Sequence, residues 1–288
     1  MGYNIQQSKR KSMKKNELQQ EVRELILNHL KQKKVSQNKL AEMIGVSNGT
    51  ISNIVNEIWE RINETMLLKV KSFFKTKNWN LITTYNFTTI QEACSEAREY
   101  KKMIAIVGYS GAGKTTALHN YYQNNPETYL VTCGRAMRTK QFLGEILKAL
   151  GVNYSASDYE MVRMIIDELN QKQSPILLID EASKLSPTAL MYLQDIWDGI
   201  EDNGAIILAG VEYLLTNIKK GAERNKIGMP EFYGRVNRWV HLQQPQKEEV
   251  NAICENNGFT DEKMIKTMYR FSNFRFIRNV ILNTTGYE

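Results

Sequence analysis

The segment Gly108-Tyr109-Ser110-Gly111-Ala112-Gly113-Lys114-Thr115 has the spacing G-x-x-x-x-G-K-[ST] of a phosphate-binding loop. An apolar run, 103–107, precedes it, and a helix-compatible stretch, 116–122, follows it. Glycines allow successive backbone N–H groups to curl around an anion, and the N-terminal end of the following helix adds a positive dipole. This segment, together with Thr116, therefore predicts a binding site for nucleotide phosphates.

Two side chains of the loop have predicted roles in that site. In a loop of this kind the lysine, here Lys114, reaches the β- and γ-phosphates, and the next hydroxyl, that of Thr115, holds Mg²⁺. The alternative is a glycine-rich turn with a chance lysine, which the flanking strand and helix disfavour. We expect ATP and Mg²⁺ as cofactors, since the sequence has no guanine-type N-K-x-D motif.

A second apolar run, 175–179, ends in Asp180 and Glu181. Such a run is typical of a central strand of a parallel sheet that is buried on both faces. At its carboxyl end Asp180 is placed to hold Mg²⁺, and Glu181 is the expected general base for an attacking water. An ordinary buried strand with an acidic helix cap is the alternative. After a matched phosphate loop, the acidic pair favours hydrolysis as well as binding.

Composition limits the remaining classes. The chain has 288 residues, of which 42% are hydrophobic, and no apolar stretch approaches the length of a membrane span. The basic N-terminus has no apolar run behind it, so no secretory signal is expected and the predicted location is the cytoplasm. Three separated cysteines, Cys94, Cys133 and Cys254, predict neither a zinc site nor a disulfide framework.

Positive charge is concentrated at the N-terminus. Residues 1–35 contain nine Lys or Arg against three Glu, a net of +6, whereas the whole chain carries +7. A basic arm of this kind binds nucleic acid by releasing counterions from phosphates, although a solvated tail is the alternative.

The segment 35–54 has the layout of a helix-turn-helix. Apolar residues line one face of a first helix, Gly45 permits the tight turn, and Ser47 is suited to cap a second helix. In this motif the early residues of the second helix meet the major groove of DNA. A small bundle that binds protein is the alternative. The exposed polar candidates for DNA contact are Asn48, Thr50, Ser52 and Asn53.

The predicted organisation has four parts. Residues 1–15 are expected to be a basic disordered arm, and 16–75 the all-α helix-turn-helix domain, with a linker at 75–78. Alternating strands and helices over 79–243 predict a doubly wound α/β core with a parallel sheet. From 244 to 288 only helical patterns follow, which predicts a small lid.

A helix-turn-helix domain followed by an ATPase with GYSGAGKT at 108–115, ILLIDEA at 176–182 and a helical tail resembles the AAA+ helper ATPases of DNA transposition. Target-DNA activators of Mu-like phages are the nearer members, and insertion-sequence helpers are more distant. The resemblance covers nearly the whole chain in domain order, with motifs that are generic to AAA+ proteins. It implies a protein that polymerises with ATP as a helical filament on double-stranded DNA, largely without sequence preference. It also implies that the protein recruits a transposase and disassembles on hydrolysis.

The resemblance also implies further ATPase residues. An arginine finger, which reaches a neighbouring subunit's γ-phosphate, is expected at Arg235, with Arg238 and Arg224 as alternatives. The second sensor is expected at Arg275, or else at Arg278. One departure concerns the first sensor, because the segment 207–212 offers no Asn or Thr at the end of its strand. This departure predicts slow turnover. A finger supplied by a neighbouring subunit would make hydrolysis depend on assembly, and stimulation by DNA, assembly or a partner is therefore expected.

DNA is also expected to meet the ATPase core. The loop 133–140 carries three cations in six residues, Arg135, Arg138 and Lys140, which suit contact with DNA phosphates. A solvated helix N-terminus is the alternative.

Three functions remain open from the sequence. The first is a transposition target-DNA activator that forms a polymer on DNA. The second is an ATP-responsive transcription regulator that reads a palindromic operator as a dimer. The third is a loading or remodelling ATPase whose N-terminal bundle binds a protein. A preference of the first domain for one DNA sequence would separate them.

Overall fold

The computed structural model describes the backbone of residues 2–33, 35–74 and 82–285. Two compact units make up the chain, the first built mainly from the helices before residue 75 and the second from the elements after residue 82. The predicted linker at 75–78 and the predicted start of the ATPase at Trp79 lie outside the described residues.

The N-terminal unit is entirely helical. Its elements are α1 (Gly2–Lys33), α2 (Gln37–Ile44), α3 (Asn48–Val55), a short 3₁₀ helix (Trp59–Arg61) and α4 (Glu64–Phe74). These helices bury one apolar core, which includes Val22, Ile26, Leu40, Ala41, Ile51, Ile54, Leu67 and Val70. A core of this kind forms because each helix carries its apolar residues at a spacing of three or four positions.

Helix α1 begins earlier than the sequence predicts. Polar, basic composition predicts a disordered arm over 1–15, but the backbone is helical from Gly2 onward. The physical reason lies in the composition of this segment, which has no proline and is rich in Gln, Lys and other good helix formers.

The second unit alternates helices and strands and then ends in helices. Its first half consists of α5 (Tyr85–Tyr100), β1 (Met103–Val107), α6 (Lys114–Asn124), β2 (Thr128–Thr132), α7 (Thr139–Ala149), α8 (Asp158–Asn170) and β3 (Ile176–Asp180). Its second half consists of a short 3₁₀ helix (Ala182–Lys184), α9 (Pro187–Asp198), β4 (Ala205–Gly210), α10 (Tyr213–Glu223), α11 (Met229–Arg235), β5 (Arg238–His241), α12 (Lys247–Asn256), α13 (Glu262–Met268) and α14 (Phe274–Thr285).

The five strands form one parallel sheet in the order β2-β3-β4-β1-β5. Strands β1, β3 and β4 are buried along their whole length, as expected for strands that helices cover on both faces. From β1 the chain runs to β2 at one edge of the sheet, and from β4 it runs to β5 at the opposite edge. Ligands of open α/β sheets bind outside the carboxyl ends of the strands at such a point of reversal.

The register of the strand pairs aligns the carboxyl ends of the strands at one edge of the sheet. Val107 at the end of β1 pairs with Gly210 on β4 and with His241 on β5. On the other side, Thr132 of β2 pairs with Asp180 of β3. The loops that follow β1, β3 and β4 therefore leave from the same edge of the sheet.

Helices α12, α13 and α14 bury a separate core. It consists of Val250, Ile253, Cys254, Phe259, Met268, Ile277 and Ile281. This small helical lid follows β5, as the sequence predicted.

No helix within the described part of the chain has the length and apolar character to cross a membrane. The three cysteines are free and buried. Among the described residues, no group of three or more His, Cys, Asp or Glu side chains is arranged to hold a metal ion. The predicted Mg²⁺ site is of another kind, because it needs the phosphates of a nucleotide to complete it.

Candidate functional site

The phosphate loop leaves β1 at Gly108 and ends where α6 begins at Lys114. Gly111 and Gly113 have φ angles of 84° and 90°, a region that residues with a Cβ rarely adopt. A side chain at Gly111 would also be crowded, since an added Cβ would lie 2.9 Å from Asn273 Oδ1. Strand, loop and helix thus have the arrangement that the sequence motif requires.

Lys114 is held over this loop. Its Nζ donates hydrogen bonds to the carbonyl oxygens of Gly108 and Tyr109, both at 2.9 Å. Burial lowers the pKa of Lys114, whereas the carboxylates of Asp180 and Glu181 raise it. A buried ammonium group gains most from a nearby anion, so the position suits the phosphates of a nucleotide.

Thr115 and Asp180 come together across the sheet edge. Thr115 Oγ1 donates to Asp180 Oδ2 at 2.7 Å, and Glu181 N donates to Asp180 Oδ1 at 2.9 Å. Asp180 is only 1% exposed, and this burial raises its pKa against the lowering effect of the two hydrogen bonds. A hydroxyl and a carboxylate are the oxygen ligands that Mg²⁺ prefers, so the pair fits the predicted metal role.

Glu181 has an unusual backbone. Its φ of 57° and ψ of 32° place a residue with a Cβ in the left-handed region, which costs free energy and occurs often at functional sites. Its Oε2 lies 3.3 Å from Lys184 Nζ, and both side chains are more than a third exposed. The carboxylate therefore lies at the accessible rim of the site, next to the buried Asp180.

The lid contacts the phosphate loop directly. Phe274 N, at the start of α14, donates to the carbonyl of Gly111 at 3.1 Å. Arg275 Nη1 donates to Ser110 Oγ at 3.4 Å. Arg275, the predicted second sensor, thus lies beside the predicted nucleotide site, and its role remains a prediction.

Asn86 holds the base of the loop, a role that the sequence does not reveal. It is 2% exposed on α5, donates to the carbonyls of Gln243 at 2.7 Å and Ala112 at 3.3 Å, and accepts from Gln243 N at 2.9 Å. One amide side chain thus joins α5, the phosphate loop and the exit of β5. A single Asn inside a helical pattern belongs to no motif, so no signal in the sequence distinguishes it.

We predict that Asn86→Ala destabilises the second unit. The change removes the side-chain partner of the buried Ala112 carbonyl, at a cost of about 1–3 kcal/mol. It also removes the partner of both Gln243 backbone groups, whose hydrogen bonds are only partly buried and contribute less. Thermal unfolding of the full chain, followed by circular dichroism, should shift down by about 2–4 °C per kcal/mol. Asn279→Ala is the control, since Asn279 is exposed on α14. Equal melting of the two variants would contradict the prediction.

A hydroxyl group from another segment of the chain lies at the end of β4. Val211 N donates to Ser183 Oγ at 2.8 Å, and a Cβ added at Gly210 would lie 2.4 Å from that same oxygen. The hydroxyl of Ser183 therefore fills the space in which a side chain at position 210 would stand. It is the polar group at this strand end, and it comes from the segment after β3 rather than from β4.

Arg235, the predicted finger, ends α11 and is paired within its own chain. Its Nε and Nη2 donate to Oδ1 and Oδ2 of Asp198 at 2.7 and 3.1 Å. The alternative Arg238 pairs with Glu96 at 2.8 Å, and Arg224 follows the last residue of α10. The finger assignment remains a prediction.

The helix-turn-helix has the predicted turn at Gly45 and the predicted cap at Ser47, and Ser36 also caps its first helix. Ser36 Oγ accepts from Lys39 N, Gly45 has a φ of 72°, and Ser47 Oγ accepts from Thr50 N at 3.2 Å. Asn48 is exposed at the start of α3. The turn and the cap thus fix where the second helix begins.

One predicted DNA contact is wrong. Thr50 is 7% exposed, and its Oγ1 lies 2.9 Å from Ser47 Oγ. The physical reason is helical spacing, because position 50 lies on the same face as the buried Ile51 and Ile54. The other three candidates, Asn48, Ser52 and Asn53, are exposed or partly exposed.

The three cations of the second-strand loop face solvent. Arg135, Arg138 and Lys140 are all exposed or partly exposed, and within the described part of the chain none of them forms an ion pair. Arg138 precedes α7, and its backbone N donates to Gln141 Oε1 at 2.8 Å. Both predicted explanations, DNA contact and a solvated helix start, are compatible with this placement.

Two protein-family models match the chain. Residues 97–218 match the AAA domain, and residues 26–77 match the helix-turn-helix. The predicted site residues from Gly108 to Glu181 lie inside the first match, and the predicted DNA-contacting residues of α3 lie inside the second.

The chain is also similar to individual proteins. The Mu-like prophage FluMu DNA transposition protein B of Haemophilus influenzae is 24% identical over 255 residues, 83% of this chain and 86% of that protein. Among solved structures, the ORC2 protein of Aeropyrum pernix aligns with a TM-score of 0.50 at 16% identity, over 64% of this chain and 54% of that chain. The predicted fold class, an AAA-type α/β ATPase domain with a helical lid behind a helix-turn-helix unit, is confirmed. The predicted resemblance to the DNA transposition proteins of Mu-like phages is confirmed as well.

Proposed function

We propose that this chain is an ATPase that assembles on double-stranded target DNA as a head-to-tail helical filament and recruits and activates a transposase. ATP hydrolysis then drives disassembly. The observation that carries the proposal is the contact of Thr115 with Asp180 beside a complete phosphate loop, in a chain similar to a DNA transposition protein B over 83% of its length. Its expected location is the cytoplasm, where it meets the DNA.

Nucleotide binding rests on the phosphate loop. The backbone N–H groups of 108–116 and the ammonium of Lys114 would hold the triphosphate of ATP, and Thr115 and Asp180 would hold Mg²⁺. The metal ion supplies charge neutralisation for the phosphate oxygens when it is bound. Arg275 lies 3.4 Å from Ser110 of this loop and would report the bound phosphates to the lid.

Hydrolysis is assigned to residues at the rim. Glu181 would orient the attacking water and accept its proton, because its carboxylate is accessible and adjoins Asp180. Arg235 would stabilise the γ-phosphate bound by a neighbouring subunit. A finger supplied by a neighbour makes turnover depend on assembly. Head-to-tail contacts of this kind that do not close produce helices rather than rings.

DNA binding is assigned to two surfaces. Asn48, Ser52 and Asn53 of α3 would meet the groove, and the three cations of the 133–140 loop would meet phosphates. Contacts with phosphates position a protein without reading sequence, which suits a target activator with little sequence preference.

Electron microscopy of negatively stained protein on random-sequence linear duplex DNA tests the proposal. Samples with ATP, a non-hydrolysable analogue, ADP and no nucleotide would be compared. We expect helical filaments with the two triphosphates alone. Discrete particles, or DNA binding that needs one special sequence, would instead favour the ATP-responsive transcription regulator, for which the exposed amide of Asn48 at the start of α3 is the supporting observation.

We predict that the loop cations contribute sequence-independent affinity. The triple variant Arg135→Ala, Arg138→Ala and Lys140→Ala should bind all duplexes less tightly. It should also reduce the slope of log affinity against log salt by about 0.9 for each DNA phosphate that the protein no longer neutralises. Fluorescence anisotropy at several salt concentrations measures this slope. Asn48→Ala is the comparison, since it removes no charge and should leave the slope as it is. An unchanged slope in the triple variant would mean that this loop is only a solvated helix start.

A further inference from the structure

The pair between Arg235 and Asp198 has a particular geometry. The carboxylate accepts from Nε at 2.7 Å and from Nη2 at 3.1 Å, so it binds the side of the guanidinium group rather than its end. Arginine has five N–H donors in a planar fork, and a side-on partner uses two of them. The two N–H groups of Nη1 and the second N–H group of Nη2, at the far end of the guanidinium group, are not used by Asp198.

Asp198 and Arg235 both lie at the ends of well-packed helices. Asp198 is the last residue of α9, directly after the buried Ile196 and Trp197. Arg235 is the last residue of α11, whose Phe232 is fully buried. The two helices pack closely, since a Cβ at Gly228, just before α11, would lie 2.5 Å from the Met191 methyl group of α9. A fixed carboxylate therefore sets the direction of a long and otherwise mobile side chain.

Stability does not explain this pair. The side chains of Arg235 and Asp198 are 42% and 37% exposed, and ion pairs in such positions contribute little to folding. A side-on fork does, however, restrict the rotation of the guanidinium group while its free end keeps three donors. Positioning of this kind reduces the entropy that is lost when the free end binds an anion.

We propose that Asp198 is a positioning residue for Arg235, which it holds side-on so that the free end of the guanidinium group points to the nucleotide phosphates of a neighbouring copy. The inference rests on the proposed function, in which Arg235 acts on the next subunit. Asp198 itself does not touch the nucleotide. Its negative charge also keeps Arg235 in place before a neighbour arrives.

Glu231 offers a matched control. Both Asp198 and Glu231 raise the pKa of Arg235, but only Asp198 does so through a hydrogen bond as well as by charge. Glu231→Gln therefore removes a nearby negative charge and keeps the side-on fork. Asp198→Asn removes one of the two acceptor oxygens as well as the charge.

A double-mutant cycle on ATP turnover tests the proposal. Full-length wild type, Asp198→Asn, Arg235→Ala, the double variant and Glu231→Gln would be measured with saturating duplex DNA. We expect a loss of about 1,000-fold for Arg235→Ala, as for other fingers. For Asp198→Asn we expect a loss of about 10- to 100-fold, since misplacing a catalytic group by about 1 Å can cost about 100-fold. The double variant should equal Arg235→Ala, since Asp198 acts only through Arg235. Glu231→Gln should match wild type, and ATP binding by a fluorescent analogue should be equal in all five proteins.

Three results would overturn the proposal. If the two losses multiply in the double variant, Asp198 acts independently of Arg235. If Asp198→Asn turns over ATP as fast as wild type or faster, the carboxylate does not position the finger. If Arg235→Ala keeps full turnover, Arg235 is not the finger, so Asp198 has nothing to position. In that last case, ATP hydrolysis and filament formation by the wild-type protein remain independent tests of the proposed function.

Discussion

Replacing Lys114 with alanine is expected to abolish nucleotide binding and every ATP-dependent assembly on DNA. The ammonium group is the one charged side chain of the phosphate loop, and it is held 2.9 Å from two loop carbonyls. Charge-assisted hydrogen bonds to phosphate contribute about 1.5–3 kcal/mol each. Loss of two of them weakens binding by at least about 100-fold, since 1.4 kcal/mol is a factor of ten.

Titration of a fluorescent ATP analogue and electron microscopy on duplex DNA measure the two effects of Lys114→Ala. Lys148→Ala is the control, because this lysine is exposed on α7 and makes only a 3.7 Å ion pair with Glu145. The control should bind and assemble as wild type does. Filaments of normal length in Lys114→Ala would rule out our assignment of the phosphate loop.

Glu181→Gln is expected to bind ATP normally, hydrolyse it at least about 100-fold more slowly and remain assembled on DNA. A positioned general base contributes roughly 10²–10⁴-fold to rate, and glutamine keeps the shape of the side chain without its basicity. Asp180 and Thr115 are unchanged by this substitution, so the contacts assigned to Mg²⁺ stay in place. Steady-state release of phosphate and the rate of dissociation from labelled DNA measure the two effects.

Glu181 also pairs with Lys184, and this second contact needs its own control. Lys184→Gln removes the 3.3 Å ion pair but leaves the carboxylate as it is. Exposed pairs of this kind contribute at most about 1 kcal/mol, so this variant should stay close to wild-type turnover. If Glu181→Gln releases DNA at the normal rate, Glu181 is not the base. If both variants lose turnover equally, the ion pair rather than the carboxylate is responsible.

The parts of the site that can be predicted are those whose chemistry is local in the chain. The phosphate loop requires glycines, lysine and threonine at fixed spacing, and the segment 108–115 contains all of them. Asp180 and Glu181 are recognisable because a buried central strand is a short apolar run that ends where polar residues begin. The helix-turn-helix is recognisable because its turn needs Gly45 and its second helix needs the cap at Ser47.

Two incorrect predictions arise where a local pattern is applied without its surroundings. The polar side chain of Thr50 suggests exposure, but its position beside Ile51 on α3 places it against the core, where its hydroxyl bonds to Ser47. Residues 1–15 are polar and lack periodicity, which suggests disorder. Their backbone is nevertheless helical from Gly2, as a segment of good helix formers without proline allows.

The sequence by itself determined the fold class, the nucleotide motif and the acidic pair, because backbone conformation and short-range spacing set these features. Only the tertiary structure decided which distant residues meet. It joined Asn86 to Gln243, placed Ser183 beside Gly210 and set Asp198 against Arg235. The physical reason is that parallel strands distant in sequence end at one sheet edge, and helices such as α9 and α11 pack side by side. Contacts of that kind leave no periodic trace in the chain.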